Sequence, residues 1–469
     1  MHKSFIDSGN IESVLSGARH IFFVGIGGIS MSSLAHISKE AGFDVSGSDR
    51  NVSDITKKLE KHGIKIYYSH RKENIVGADA IVYTAAIADD NPELTAARAL
   101  GIPLIYRADY LGYIMSRFDK RIGVSGMHGK STATAMLAHT FLKCGKDPTV
   151  VLGAELSELE GGTYRSGSHD CFIMEACEYC DSFLSFDPNI AVVLNIEMDH
   201  PDYFKSLGQI ITSFGKYLDI ASSGTAVVNW DDENVKLAAA NYRGTLVKFG
   251  KTSDGLDYCP ANIEYKSGKA CFDILKRGEK LCRVELSVPG DHNIMNVLAS
   301  AAVADICHIE PSEIGNALSN FPGIKRRMEY KGRIFDGKAE LYDDYAHHPT
   351  EIRATLAGAK RLVKDSDGTI WCVFQPHTYS RTYELFDEFA ASFDGVKTIF
   401  ADIYAARETN TSGVSSKMLS DKVDGSVYLD SFEKIADYLR QNVKEGDAVI
   451  VMGAGDIIKL DSLLVKKAE

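Results

Sequence analysis

The stretch Gly126-Met-His-Gly-Lys-Ser-Thr132 sets two glycines, a lysine and two hydroxyls at the spacing that cradles nucleotide phosphates. Glycines let backbone N–H groups turn toward phosphate oxygens, and a helix starting there adds positive potential. Gly126, Met127, His128, Gly129 and Thr132 would form the loop, Lys130 would reach the β- and γ-phosphates, and the Ser131 hydroxyl would take a position on Mg²⁺. The hydrophobic run Arg121–Ser125 and the helix-forming run Ala133–His139 supply the strand before the loop and the helix after it. Val124 stands where a first glycine is common, and Gly123 comes one step early. A glycine-rich turn with a surface lysine is the competing reading; the flanking strand and helix favour an ATP or GTP site.

Other reactive groups gather at the ends of hydrophobic runs, where open α/β sheets hold their ligands. Phe172-Ile-Met-Glu175 ends in a carboxylate where phosphate-loop enzymes hold Mg²⁺, a helix-capping acid being the alternative. Asn195-Ile-Glu-Met-Asp-His-Pro-Asp202 collects acids and a histidine, and His200 could bind a second metal ion or move a proton. His292, Asn293 and Asn296 cluster at a helix start, where they would cap the helix or offer donors and acceptors to a purine. Lys325-Arg-Arg327 provides guanidinium groups for phosphates, or else solvated surface charge. Asp343-Asp-Tyr-Ala-His-His-Pro349 and Gln375-Pro-His-Thr-Tyr-Ser-Arg-Thr382 each lie between a strand and a helix, and the second suits forked capture of a carboxylate. Gly25-Ile-Gly-Gly-Ile-Ser30 resembles a dinucleotide fingerprint with Ser30 in place of the third glycine, and Asp49 follows about 20 residues on, placed for ribose hydroxyls. A nucleotide diphosphate fits this better than a nicotinamide, because nothing nearby reports hydride chemistry; a tight strand–helix turn would also explain the glycines.

Strands alternating with helices must position these groups. The predicted fold is α/β in three domains. Residues 1–117 read as an N-terminal Rossmann-like domain, 118–322 as a central phosphate-loop domain with antiparallel hairpins between Asn262 and Val288, and 323–469 as a second Rossmann-like domain. Strands are expected at Arg19–Val24, Phe43–Ser46, Ile64–Tyr68, Ala80–Thr84, Pro103–Tyr106, Cys171–Glu175, Ala191–Ile196, Thr225–Val228, Thr245–Phe249, Thr369–Phe374, Lys397–Ala401, Ser426–Leu429 and Ala448–Met452. Glu160–Ser168 reads as a surface loop. At 469 residues the chain exceeds one core, and 45% hydrophobic with 25% charged residues describes a globular protein. Net charge −12 argues against nucleic acid, and no apolar run nears the roughly 18 residues of a membrane span. Met1–Asp7 lacks a secretory core, so cytoplasm is the default. Nine cysteines, with one C-x-x-C at Cys177 and Cys180, read as reduced thiols, since a zinc site would need a second pair.

Taken in order, Phe23–Met31, Gly126–Thr132, Glu175-Ala-Cys-Glu178, Asn195–His200, Gly290–Asn293 with Asn296, Asp343–Glu351 and Phe374–Thr382 resemble the Mur ligases of bacterial cell-wall synthesis almost end to end. That family also lacks the first glycine of the phosphate loop. The resemblance, closest to the member acting on L-alanine, implies ligation of L-alanine to the lactyl carboxylate of UDP-N-acetylmuramate, through an acyl phosphate, in peptidoglycan precursor synthesis. It implies ATP and Mg²⁺, with Mn²⁺ as a substitute, and a monomer or homodimer. Gly25, Gly27, Gly28, Ile29, Ser30, Ser48 and Asp49 would take the UDP, and Gly126–Thr132, His292, Asn293, Asn296 and Arg327 the ATP. Ser131 with Glu175 would hold one Mg²⁺ and Glu175 with His200 a second, while Tyr345, His347, His377 and Arg381 would meet the alanine. By the same resemblance Lys130, Glu175 and His200 would carry the catalytic roles. Two departures stand out: many members have arginine at the position of Thr378, and Cys177, Tyr179 and Cys180 replace residues often acidic or polar. The rival readings are a sister ligase that recycles a tripeptide, a nicotinamide oxidoreductase and a non-catalytic nucleotide-binding partner.

Overall fold

The computed structural model describes residues 11–200, 203–266, 269–363, 368–406 and 408–465. Asp202 of the His200 cluster and the N-terminal stretch Met1–Asp7 lie outside them.

Three sheets carry the chain. The first holds β1 (His20–Val24), β2 (Asp44–Ser48), β3 (Lys65–Tyr67), β4 (Ala80–Tyr83) and β5 (Leu104–Tyr106), all parallel, in the order β3-β2-β1-β4-β5. Ile21, Phe22, Phe23 and Val24 are all buried, as expected of a strand covered on both faces by helices.

The second sheet contains β6 (Lys120–Ser125), β7 (Thr149–Val151), β8 (Tyr164–Arg165), β9 (Cys171–Glu175), β10 (Ile190–Val193), β11 (Thr225–Asn229), β12 (Thr245–Phe249), β13 (Tyr258–Lys266), β14 (Lys269–Lys276) and β15 (Glu279–Glu285). Its order is β15-β14-β13-β12-β11-β10-β6-β9-β7-β8, parallel from β13 to β7 and antiparallel across β13–β15 and at β8. Alternation divides its core between the two faces. Phe172 and Met174 join the apolar cluster shared with the first sheet, whereas Cys171 and Ile173 pack with the helices Lys130–Lys143 and His292–Ile306. Packing between the first two sheets is tight: a Cβ added at Gly112, on the helix Arg107–Met115, would collide with the Ser185 carbonyl oxygen.

The third sheet is β16 (Glu329–Ile334), β17 (Ala339–Asp344), β18 (Ile370–Phe374), β19 (Lys397–Phe400), β20 (Val427–Tyr428) and β21 (Asp447–Met452), in the order β16-β17-β21-β18-β19-β20, with only the edge strand β16 antiparallel.

Two expectations change. The strand expected over Ala191–Ile196 stops at Val193, because after Leu194 the backbone leaves the ladder: Asn195 O accepts from Met127 N, and Ile196 N donates to the Asp232 carboxylate at 3.0 Å. The stretch read as the loop Glu160–Ser168 contains β8, paired with β7 through Val150 and Arg165.

Parallel register aligns the strand ends. Val124 pairs with Glu175 and Ser125 with Val193, so β6, β9 and β10 finish side by side. Asp344, Met452 and Phe374 line up in the same way across β17, β21 and β18. Among the described residues no helix is long and apolar enough to cross a membrane, and all nine cysteines are free.

Candidate active site

The phosphate loop leaves β6 and enters the helix Lys130–Lys143, whose first turn no side chain caps. Gly126 and Gly129 have φ of +140° and +85°, and a Cβ on Gly129 would lie 2.7 Å from Asn296 Oδ1. Both positions therefore require glycine. Asn195 pins the loop from β10, accepting from His128 N at 2.8 Å and donating to His128 O at 2.9 Å.

Lys130 Nζ folds back over this loop. It donates to Gly126 O at 2.6 Å and Met127 O at 3.1 Å and lies 2.9 Å from Glu178 Oε2. Glu178, 1% exposed, also meets His200 Nε2 at 3.2 Å. Burial disfavours charge on both Lys130 and Glu178, yet their mutual attraction holds the lysine above and the glutamate below its ordinary range.

Ser131 Oγ donates to Glu175 Oε1 at 2.7 Å, and Gly153 N donates to Glu175 Oε2. A hydroxyl and a carboxylate together are the oxygen donors Mg²⁺ selects. His200 lines the same cleft, but its contact is to Glu178 and not to Glu175.

That cleft, of about 710 Å³, is walled by helices packed on the first sheet and by residues of the segments that carry the second and third. Lys130, Ser131, Glu175 and His200 line it together with Arg327, Tyr345 and His347, and with Ile29 and His36. A second cavity of about 200 Å³ adjoins it through His128, Gly129 and Arg327, and is lined by His292, Asn293 and Asn296 with Thr350 and Glu351.

Arg381 is buried. It is 8% exposed, reaches Asp199 Oδ1 at 3.2 Å and approaches His377 Nδ1 at 3.4 Å, while His377 packs edge-on to His347 with ring centres 5.8 Å apart. Burial opposes ionisation of Asp199, but Arg381, His200 and His348 together hold it far below the usual carboxylate range. Thr378, with φ +67°, turns the chain into the helix that carries Arg381.

Of the positions expected on the sugar nucleotide, Ile29 lines the cleft. Gly25, Gly27, Gly28 and Ser30 make the turn from β1 into the helix Ile29–Glu40, with Gly25 N bonded to Ser48 O. Asp49 is engaged by that turn, accepting from Gly27 N at 2.9 Å and Asn51 N at 3.0 Å. Ser48 sits in a buried network with His70 and Glu93, at 3.0 and 2.7 Å, which sequence reading did not single out because its members are spread over 46 positions.

Sequence reading assigned no individual role to Glu178, His348 or Glu351, and took Glu197 only as one of the acids gathered in Asn195–Asp202. Glu351 pairs His128 Nδ1 at 3.3 Å and Arg327 at 3.5 Å, and Thr350 Oγ1 donates to Glu197 at 2.7 Å. For Glu178 the available signal was a second glutamate three residues after Glu175; for the others there was only the motif as a whole. Among the described residues, His128, Glu197 and His348 come close enough to hold a metal. Nε2 of both histidines is buried without a hydrogen-bond partner. His348 Nδ1 accepts from Thr350 N, which leaves the proton on Nε2, and His128 is kept above its ordinary pKa by Glu351 and Glu197 despite burial.

Burial holds His292, His347, His348 and His377 down, each to about 4. They stay neutral in the native protein at pH values where the unfolded chain, titrating near 6.5, takes up protons. Stability should therefore fall as pH drops from about 6.5 toward 4, by up to about 1.4 kcal/mol per pH unit for each group. Asp343 and Asp461, lifted by burial to about 7 and about 6, work in the opposite sense and offset part of this. Urea midpoints measured at pH 7, 5.5 and 4.5 should decline; a flat or rising series would contradict this account.

Three family models match in chain order: the Mur ligase family catalytic domain over residues 20–119, the Mur ligase middle domain over 124–304 and the Mur ligase glutamate ligase domain over 326–455. The UDP-N-acetylmuramate–L-alanine ligase of Acetivibrio thermocellus is 45% identical over 455 residues, 96% of either chain. The crystal structure of the UDP-N-acetylmuramate-alanine ligase MurC from Thermotoga maritima superposes with a TM-score of 0.79 at 29% identity, covering 94% of this chain and 97% of that one. A murein peptide ligase from Psychrobacter arcticus, at 24% identity and a TM-score of 0.69 over 96% of this chain and all of that one, shares the fold. Matched by family models in all three segments and by such a relative along nearly its whole length, the chain belongs to the Mur ligase family.

Proposed function

We propose that this protein joins L-alanine to the lactyl carboxylate of UDP-N-acetylmuramate, with cleavage of ATP to ADP and phosphate, in peptidoglycan precursor synthesis. One observation supports it most: the phosphate loop, the end of β9 and the third-sheet motif around Tyr345 and His347 converge on one cleft beside a smaller cavity of purine-compatible lining. The reading includes domain boundaries after residues 117 and 322, with the sugar nucleotide on the first domain, ATP on the second and alanine approaching from the third. It also includes a cytoplasmic location.

The chemistry follows from the groups present. A carboxylate is a poor acylating agent, so its oxygen first attacks the γ-phosphorus, and ADP departs. Lys130 and Arg327 offset the crowding of negative charge there, and the uncapped amides of the phosphate-loop helix add positive potential. Ser131 and Glu175 would hold Mg²⁺, with His200 at the same rim; the bound ion would act as a Lewis acid toward phosphoryl oxygens. The alanine amine then attacks the acyl carbon, phosphate leaves, and an amide results. Arg381 and His377 are the groups proposed to receive the alanine carboxylate. Closure of the third domain over the cleft keeps water from the acyl phosphate.

Purified protein given UDP-N-acetylmuramate and ATP should release phosphate with L-alanine. Release with a tripeptide alone would assign the sister, recycling activity instead.

A further inference from the structure

The helix Pro349–Ala359 forms one wall of the smaller cavity, through Thr350, Glu351, Ala354 and Thr355. Its first turn is tied to the central domain by the Thr350–Glu197 hydrogen bond. Beyond its other end stands Arg361, whose guanidinium forms a two-pronged pair with Asp291, Nη2 lying 2.6 Å from Oδ2. The same guanidinium lies over the Tyr265 ring, 3.9 Å from its centre, on β13.

Asp291 immediately precedes the helix His292–Ile306 but does not cap it with its side chain. Its carboxylate goes to Arg361, and its carbonyl accepts from Lys251 Nζ at 3.1 Å. Next to it the two domains touch at backbone level, since a Cβ on Gly358 would lie 3.0 Å from Gly290 Cα. The residues that follow Asp291 are His292 and Asn293, which line the cavity.

We propose that Arg361 is a positioning residue, which latches the third domain onto Asp291 and Tyr265 and so holds the outer lip of the nucleotide cavity closed. This rests on the reading that the adenosine part of ATP occupies that cavity. The latch touches neither the phosphate loop nor the alanine site, so it sets how tightly nucleotide is held and leaves the chemical step alone. Bidentate pairing and stacking on an aromatic face are arginine properties, so lysine should replace Arg361 poorly. Both charged partners are partly exposed, so salt should weaken the latch.

Arg361→Gln, Arg361→Lys and Tyr265→Leu test this, with ADP binding by calorimetry and steady-state kinetics on the full-length protein. Arg361→Gln should weaken ADP binding and raise the KM for ATP about fivefold to tenfold. The kcat and the KM values for the sugar nucleotide and alanine should stay within about twofold, and the difference from wild type should shrink at high salt. Arg361→Gln combined with Tyr265→Leu should cost less than the sum of the two, because both act through one guanidinium. Unchanged ADP affinity in Arg361→Gln would overturn the latch, as would a fall in kcat with a similar rise in every KM and a lower melting temperature. His292→Ala keeps the two ideas apart. If it leaves ADP affinity unchanged, the nucleotide lies elsewhere and the cavity assignment itself fails; if it weakens ADP and Arg361→Gln does not, only the latch is wrong.

Discussion

Lys130→Ala is expected to lower ligation about a thousandfold, the scale of losing one preorganised charge-stabilising group at a reacting centre. It should also destabilise the protein. Lys130 lies 2.9 Å from Glu178, which is 1% exposed, so truncation leaves a buried carboxylate whose remaining side-chain contact is His200 Nε2 at 3.2 Å. Breaking a buried pair on one side costs about 3 to 5 kcal/mol. The two effects can be separated. Adding Glu178→Gln to Lys130→Ala removes the stranded charge and should recover most of the melting temperature without recovering turnover. Phosphate release and thermal unfolding of both variants decide the matter. Turnover of Lys130→Ala within tenfold of wild type would remove Lys130 from the reaction, and recovery of turnover in the double variant would show its part to be structural.

Arg381→Ala should raise the KM for alanine about a hundredfold, the loss expected when one side of a buried, hydrogen-bonded charge contact is cut away. Arg381 is the only Lys or Arg in Gln375–Thr382. The forked geometry of carboxylate capture therefore falls on one side chain. Arg381→Lys should recover little, because an ammonium offers a point charge in place of a planar fork. Arg381 also neutralises Asp199, so the alanine variant should melt lower as well. The binding role is read from selectivity: the KM values for ATP and UDP-N-acetylmuramate should move far less than that for alanine. Equal increases in all three would mean that Arg381 supports the fold and does not meet the amino acid.

The phosphate loop was legible because its requirements are local. Gly126 and Gly129 hold backbone angles that other residues avoid, and a buried strand and an Ala-rich helix flank them within a few positions. Strand ends were legible for the same reason, since unbroken hydrophobic runs mark strands covered on both faces, and Glu175 closes one of them. The short edge strand β8 was missed because two residues carry no periodicity, and its pairing to β7 is the only thing that makes it a strand.

The loop, the strands and the groups at their ends could be read from residue type and spacing, because near-neighbour sterics and burial periodicity act over a few residues at a time. Which charge meets which could not. Lys130 and Glu178 are 48 positions apart, Arg361 and Asp291 are 70, Thr350 and Glu197 are 153, and Arg381 and Asp199 are 182. Strand order and the packing of one sheet's helices against the next bring these partners together, and no local pattern encodes either. Glu175 stood out as the acid at a strand end, yet Glu178 is the one that takes Lys130 and His200, because the chain after β9 turns its side chain under the phosphate loop.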